Sequence, residues 1–154
     1  MKSILIEDVE TIKKLHRIGA IPEILESIEI HPLLAAYLEE KGVLDKKGYL
    51  KMAKKADKLA EDKLAVVRHL WNHGYVCRFN IEGDDYIRVH RKGVRPGEDR
   101  TNYVLKVIPK KWKTNLPEIV ESMDFAGKLR KELIYARVED EKVQFFRVGR
   151  TTFE

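Results

Sequence analysis

Three side chains in the second half of the sequence carry usable chemistry: His90, Arg100 and Lys131. Arg100 lies in the turn Arg95-Pro96-Gly97-Glu98-Asp99-Arg100-Thr101, which leads into the apolar run Tyr103-Val104-Leu105-Lys106-Val107-Ile108. A guanidinium keeps its proton up to a pH above about 12, so Arg100 can grip a phosphate but cannot act as a general acid. A surface ion pair with Asp99 or Glu98 would use the same side chain equally well. Lys131, in Leu129-Arg130-Lys131, stands where a helix gives way to a strand, a place where the helix dipole favours a cation whatever else that cation does. A histidine is the side chain whose ordinary titration falls near neutral pH, which makes His90 a conceivable base. Because successive strand residues face opposite sides, it can serve as a base only if it, and not Val89, faces a pocket.

The elements that must position these residues follow from periodicity. Residues 75–79 and 86–91 read as strands around the turn Glu82-Gly83-Asp84-Asp85, and 103–108 as a third. Asn115-Leu116-Pro117-Glu118 has the form of a helix start, with Asn115 as N-cap and Glu118 placed to complete a capping box. Ile119, Val120, Met123 and Ala126 form that helix's buried stripe, and Lys128, Arg130 and Lys131 gather at its end. Strands at 133–138 and 142–148 finish the chain around the acidic turn Glu139-Asp140-Glu141. The last strand sets Val143 and Phe145 on one face and Phe146 and Val148 on the other, so it calls for cover on both.

In the first half, Ile4, Leu5 and Ile6 suggest a strand. Asp8 caps a helix with Val9, Ile12, Leu15 and His16 on one face. An element over 23–28 and a helix over 33–41 capped by Gly42 follow. A strand or hairpin fragment is expected over 43–50. A long helix over 53–73 has Ala56, Leu59, Ala60, Leu64, Val67, Leu70 and Trp71 at three- and four-residue steps. The fold class is α+β: a small N-terminal α/β domain over 1–59, then a domain over 60–154 with a mixed sheet flanked by helices.

Composition sets limits. Of the 154 residues 36% are charged, and a net charge of +5 permits a polyanionic partner without requiring one. The single Cys77 excludes an intrachain disulfide and reads as a small core residue. His16, His31, His69 and His73 have no metal-site spacing, and Trp71 and Trp112 read as packing residues. Lys46, Lys47, Lys51, Lys54, Lys55 and Lys58 form a basic run suited to a solvated face. No apolar run is long enough to cross a bilayer, and a cytoplasmic protein is expected.

The stretch from Arg95 to Val138 resembles the catalytic domain of the archaeal tRNA-splicing endonucleases. That family's signature is a turn bearing glycine and acids, then His-Ser and a strand, a helix, and a Val-Arg-Lys run into another strand. The run Leu-Leu-Ala-Ala-Tyr-Leu-Glu-Glu-Lys-Gly starting at Leu33 is similar to its N-terminal domain. The resemblance implies a transesterification free of metal and cofactor, in which the ribose 2'-hydroxyl attacks the adjacent phosphorus and leaves a 2',3'-cyclic phosphate and a 5'-hydroxyl. A tyrosine acts as general base, a histidine as general acid, and a lysine stabilises the phosphoryl charge. Lys131 matches the lysine. The histidine position holds Arg100, followed by Thr101. Gly83, Asp85 and Tyr86 match the start of the tyrosine strand, which puts Val89, or His90 after a one-residue slip, at the base position. An arginine that stacks on a bulged base in the family is replaced by Asp124.

The resemblance therefore implies a non-catalytic structural subunit of a heteromeric tRNA-splicing endonuclease. Its partner is a catalytic subunit of the same family, two copies of each forming a heterotetramer, and its substrate is precursor tRNA cut at bulge-helix-bulge sites. Arg100 and Lys131 are its candidate RNA contacts. Glu139, Asp140 and Glu141, with Val143, Phe145, Phe146 and Val148, are its candidate subunit interface. Two rivals stand beside it: a nuclease with a rearranged site built on His90 and Lys131, and a stand-alone module that binds structured RNA. No membrane contact is expected.

Overall fold

The computed structural model describes residues 3–80 and 83–153. The chain opens with a two-stranded antiparallel sheet, β1 (Ile4–Ile6) and β2 (Ile28–Ile30), with α1 (Val9–Arg17) between them. Asp8 caps α1 by accepting from the backbone N–H of Thr11 at 2.9 Å. Ile12 and Leu15 of α1 are buried, whereas Val9 and His16, expected on the same face, are exposed. Residues 23–27 form no regular element, and the expected segment there is replaced by β2.

The helix α2 (Pro32–Glu40) buries every residue from Pro32 to Leu38. Its N-cap is His31, whose Nδ1 accepts from the N–H of Leu33 at 3.1 Å. The stretch expected as a strand or hairpin is instead a turn leading into α3 (Tyr49–Ala56). The carboxylate of Glu39 accepts from the N–H groups of Gly48 and Tyr49, at 2.8 and 3.1 Å, and so satisfies the first donors of that helix. The long helix expected over 53–73 is two helices, because the chain is extended at Asp57 before α4 (Ala60–Asn72) begins. Asp57 turns its side chain inward to Lys63 instead of continuing the spiral.

The second sheet has the order β3-β4-β5-β6-β7, formed by β3 (Cys77–Phe79), β4 (Ile87–Val89), β5 (Tyr103–Ile108), β6 (Glu132–Glu139) and β7 (Lys142–Val148). All neighbours are antiparallel except β5 and β6, which are parallel and joined through α5 (Leu116–Lys128). Both β3 and β4 are shorter than the sequence suggests, and Glu82 of the turn between them lies outside the described residues. Asn115 caps α5 through the N–H of Glu118 at 3.0 Å, while the Glu118 carboxylate accepts from the hydroxyl of Thr114, not as in a capping box.

The sheet is covered on both faces. Leu105, Val107, Ala136, Ile87 and Val89 join the core that contains Leu64, Val67 and Leu70 of α4. Val104, Ile108, Leu133 and Tyr135 pack with Ala126, Met123 and Phe125 of α5. That is why the central strand β5 reads as an unbroken apolar run. The α4-side core also takes in Ile6, Ile12, Leu15, Ile30 and Leu38, so apolar packing is continuous from the first sheet to the second. No helix among the described residues is long and apolar enough to cross a membrane.

His31 makes one element pH-sensitive. Its ring stacks on Phe79 at 4.8 Å, and burial, then the nearby Lys63 charge, lower its pKa from 6.5 to about 4. The N-cap bond also needs a lone pair on Nδ1, which protonation removes. The folded-state value lies below the unfolded one, so the folded protein binds fewer protons here. The contribution is whole above about pH 6.5 and is lost as pH falls toward 4, at a cost of about 3 kcal/mol. His31→Asn keeps a capping side chain and removes the titration. Urea unfolding at pH 7 and pH 4.5 should show a smaller acid loss for that variant than for wild type.

Candidate functional site

The turn before β5 and the end of α5 come together through two backbone-directed cations. Nη2 of Arg100 donates to the carbonyl of Arg130 at 2.7 Å, and Nζ of Lys131 donates to the carbonyl of Thr101 at 2.6 Å. The two residues thus clasp each other's segments. Arg130 itself takes φ 55°, a left-handed conformation that ends α5 and frees its carbonyl for Arg100. Gly97 lets the turn approach the first half of the chain: its φ is 90°, and a Cβ there would lie 3.4 Å from the carbonyl oxygen of Pro22.

The ion pair expected between Arg100 and a neighbouring carboxylate is absent among the described residues. Asp99 pairs with Arg91 at 2.7 Å and accepts from the backbone N–H of Arg100 at 2.8 Å. That backbone bond, with the Arg91 charge, holds the Asp99 carboxyl below its usual range.

Strand alternation decides between Val89 and His90. Val89, 2% exposed, points to the α4 side with Cys77 and Leu105. His90 points to the opposite side with Arg88, and the charges of Arg78, Lys131 and Asp99 act on it. It faces the side of the sheet that holds Lys131, yet its exposure is 0% and neither ring nitrogen has a hydrogen-bond partner among the described residues. Burial, then Arg78, lowers its pKa, although the Arg100 backbone beside it favours the charged ring. The imidazole is neutral at neutral pH and sealed from solvent.

Around it lies a concentration of cations. Burial and the charges of Arg100, Arg88 and Arg78 lower the pKa of Lys131. Arg88 is compensated by Asp84, whose two oxygens accept from Nη2 and Nη1 at 2.7 and 2.9 Å. It also lies over the Phe125 ring at 5.6 Å. Tyr86 stacks on the same ring at 4.7 Å and donates its hydroxyl to Ser122 at 2.8 Å. Asp124, which alone would repel a phosphate, is paired with Arg150 at 2.8 Å. The sequence offered no sign of Arg150, since that contact joins α5 to residues beyond β7. Arg78 was legible in principle, because an arginine opposite another across an antiparallel pair places two cations side by side. Arg78, Arg88, Arg100 and Lys131 together make this region positively charged. It offers no group able to take or give a proton in contact with solvent at the positions of Val89, His90 and Arg100.

Residues 60–145 match the family described as tRNA intron endonuclease, catalytic C-terminal domain. That match covers more than half of the 154 residues, and the chain belongs to the tRNA intron endonuclease family. Among its relatives is a tRNA-splicing endonuclease of Methanococcoides burtonii, 25% identical over 160 residues that cover 96% of this chain and 46% of the relative. The chain therefore spans about half the length of the relative it matches.

Neither ring nitrogen of His90 reaches hydrogen-bond geometry among the described residues, so its one polar neighbour, the Arg100 backbone, contributes little to lose. His90→Leu, an apolar side chain of comparable size, should keep unfolding stability within about 1 kcal/mol of wild type. Urea denaturation checks this, and a much larger loss would show that the ring makes a polar contact on which the fold depends.

Proposed function

We propose that this chain is a structural, non-catalytic subunit of a heteromeric tRNA-splicing endonuclease. It acts with a catalytic relative, two copies of each, on precursor tRNA at bulge-helix-bulge sites. The reaction, performed by the partner, leaves 2',3'-cyclic phosphate and 5'-hydroxyl ends. The carrying observation is the state of the acid and base positions: Arg100 spends its guanidinium on the Arg130 carbonyl, and Val89 and His90 are both buried. Each missing proton-transfer role is worth about 10²–10⁴-fold in rate. Lys131 keeps its place, and with Arg100 it gives the cleft the charge to hold an RNA phosphate. Residues 1–59 and 60–154 serve as the two domains of this subunit.

The β6–β7 hairpin supports the assembly reading. Asp140 and Glu141 adopt φ 50° and 64° at its tip. A two-residue turn of that form favours Asn-Gly or Asp-Gly, so Asp140 suits its place while Glu141, where glycine is preferred, is at a local disadvantage. A cationic surface on a partner gives the pair a reason to be there. Glu139 is engaged inside the chain, by Arg137 and, at 3.8 Å, by Lys110, which leaves Asp140 and Glu141 for the partner. The strand β7 ends the sheet, and Phe145 and Phe146 on it are 38% and 46% exposed. Val143 and Val148 pack partly into the α4-side and α5-side cores, so both faces of β7 are only half covered. A hollow of about 280 Å³, lined by Leu70, Val89, Leu105, Ile134 and Phe145 among others, opens beside it. An unpaired, two-faced apolar edge is suited to a second strand.

Mixing tests the reading. The purified chain alone should leave an intron-bearing RNA uncut on a gel, and adding a relative with intact Tyr, His and Lys should give cleavage. Turnover by this chain alone would sink the proposal in favour of a rearranged site.

Assembly gives a second test. Asp140→Asn with Glu141→Gly removes both charges while suiting the turn. It should reduce the mass seen by light scattering from the full assembly to folded dimers without cleavage activity. Phe146→Asp should break those dimers as well. An unchanged mass for the tip variant would remove the acidic turn from the assembly.

A further inference from the structure

One short stretch of this protein is densely positive and lies apart from the cations gathered around Lys131. Lys and Arg, thirty in all, exceed the twenty-five Asp and Glu by five. Between positions 46 and 58 six lysines face one carboxylate, again an excess of five, so the rest of the chain is neutral in sum. That one carboxylate, Asp57, is turned inward to Lys63. All six lysines are exposed, and only Lys54 finds a partner, Glu61 at 2.8 Å. Lys46, Lys47, Lys51, Lys55 and Lys58 form no ion pair with any described residue.

The helix α3 fixes their direction. Tyr49 and Ala53 are buried on one side, and Ala53 joins Leu33 and Ala60 in a small core of its own. At about 100° per residue Lys51, Lys54 and Lys55 project from the opposite side. Lys51 and Lys55 are four apart on the helix and repel each other, so that pair is a local cost to the fold. The platform is also rigid. Glu39 holds the N-terminus of α3, and Lys63 ties its C-terminal end to Asp85 of the second half.

We infer that the exposed lysine face of α3 is a second RNA-binding surface, which holds the phosphate backbone of the precursor tRNA away from the cleavage site. The inference rests on the RNA-processing role proposed above and adds a contact site to it. A row of ammonium groups without an aromatic platform or base-reading side chains suits a polyphosphate strand held by charge alone. An anionic membrane is the weaker fit. Beside the lysines the exposed face offers chiefly Met52, 41% exposed, and α3 is only eight residues long, too little apolar surface for an interfacial helix.

The experiment compares the full chain with its Lys51→Ala, Lys55→Ala, Lys58→Ala variant and the matching triple Arg variant. Filter binding of an intron-bearing precursor tRNA transcript is followed from about 50 to 200 mM salt. The Ala variant should bind on the order of tenfold more weakly or worse, with a slope of log K against log salt shallower by about 2, and the Arg variant should restore both. Equal slopes for wild type and Ala variant would overturn the inference. So would a loss that the Arg variant does not repair, or wild-type binding to phosphatidylserine vesicles through these lysines with none to RNA. Failure of the mixed complex to cleave would count against the subunit role alone, since this binding is read on the chain itself.

Discussion

The structure depends on one buried ammonium. Lys63 of α4 is 4% exposed and meets Asp57 at 2.5 Å and Asp85 at 2.6 Å. Burial alone would lower its pKa, yet the bonds to the two carboxylates raise it, so the charge is stable where it lies. The two partners are not equivalent. Asp85 is largely exposed and screened, whereas Asp57 is mostly enclosed and would be stranded without Lys63, a loss of about 3–5 kcal/mol for pairs of this kind. The geometry has a wider reach. Asp57 can face Lys63 only if the chain leaves the helical spiral between α3 and α4, and Asp85 brings the β3–β4 connection to the same point. The break in the helix, the docking of α3 and the placement of Tyr86 and Arg88 over α5 all follow from that arrangement.

This also explains why one part of the chain was legible and another was not. From β5 to β7 the preferences for strand and helix agree with the final structure. Val104, Leu105, Val107 and Ile108 form a strand covered on both faces, Asn115 and Pro117 start α5, and Val143 to Val148 alternate two apolar faces. Between Val43 and His73 they conflict. Ala53, Ala56, Leu59 and Ala60 keep helical spacing straight through the break, because the spacing that packs one long helix also packs two short ones. What ends α3 is the partner that Asp57 finds six residues on, and what begins it is a carboxylate from α2, Glu39. Both are tertiary contacts, and neither leaves a periodic trace. His31 as an N-cap is hidden for a similar reason: its role rests on a neutral Nδ1 that burial secures.

For the site, the sequence named candidate residues but not their states. Arg100 and Lys131 meet as their positions in the turn and at the helix end suggested, yet each spends a donor on a carbonyl of the other's segment. Residue type alone excluded Arg100 as an acid. The complete burial of His90 is something no strand pattern reports for a residue one step past the strand's end. The result is a positively charged region in which the histidine is closed to solvent.

Charge elsewhere is sorted by position, and this has a physical consequence for any assembly. The lysines of α3 lie on one surface, which meets at the Lys54–Glu61 pair a groove between α4 and the β6–β7 hairpin lined by Glu61, Asp62, Glu139, Asp140 and Glu141 together with Arg68 and Lys110. Burial and the neighbouring Glu61 raise the pKa of Asp62, a sign that these carboxylates already disfavour one another. A protein with net charge spread evenly would meet RNA and a protein partner through the same weak attraction, and the two would compete. If the α3 face holds RNA and the hairpin tip holds a protein partner, as proposed above, opposite charge at the two places would keep the two contacts from competing. Apolar β7 lies beside the acidic tip, so an approach steered by charge would deliver a partner to an edge of the sheet with backbone groups open to a further strand. Salt weakens the steering but not the apolar contact that follows.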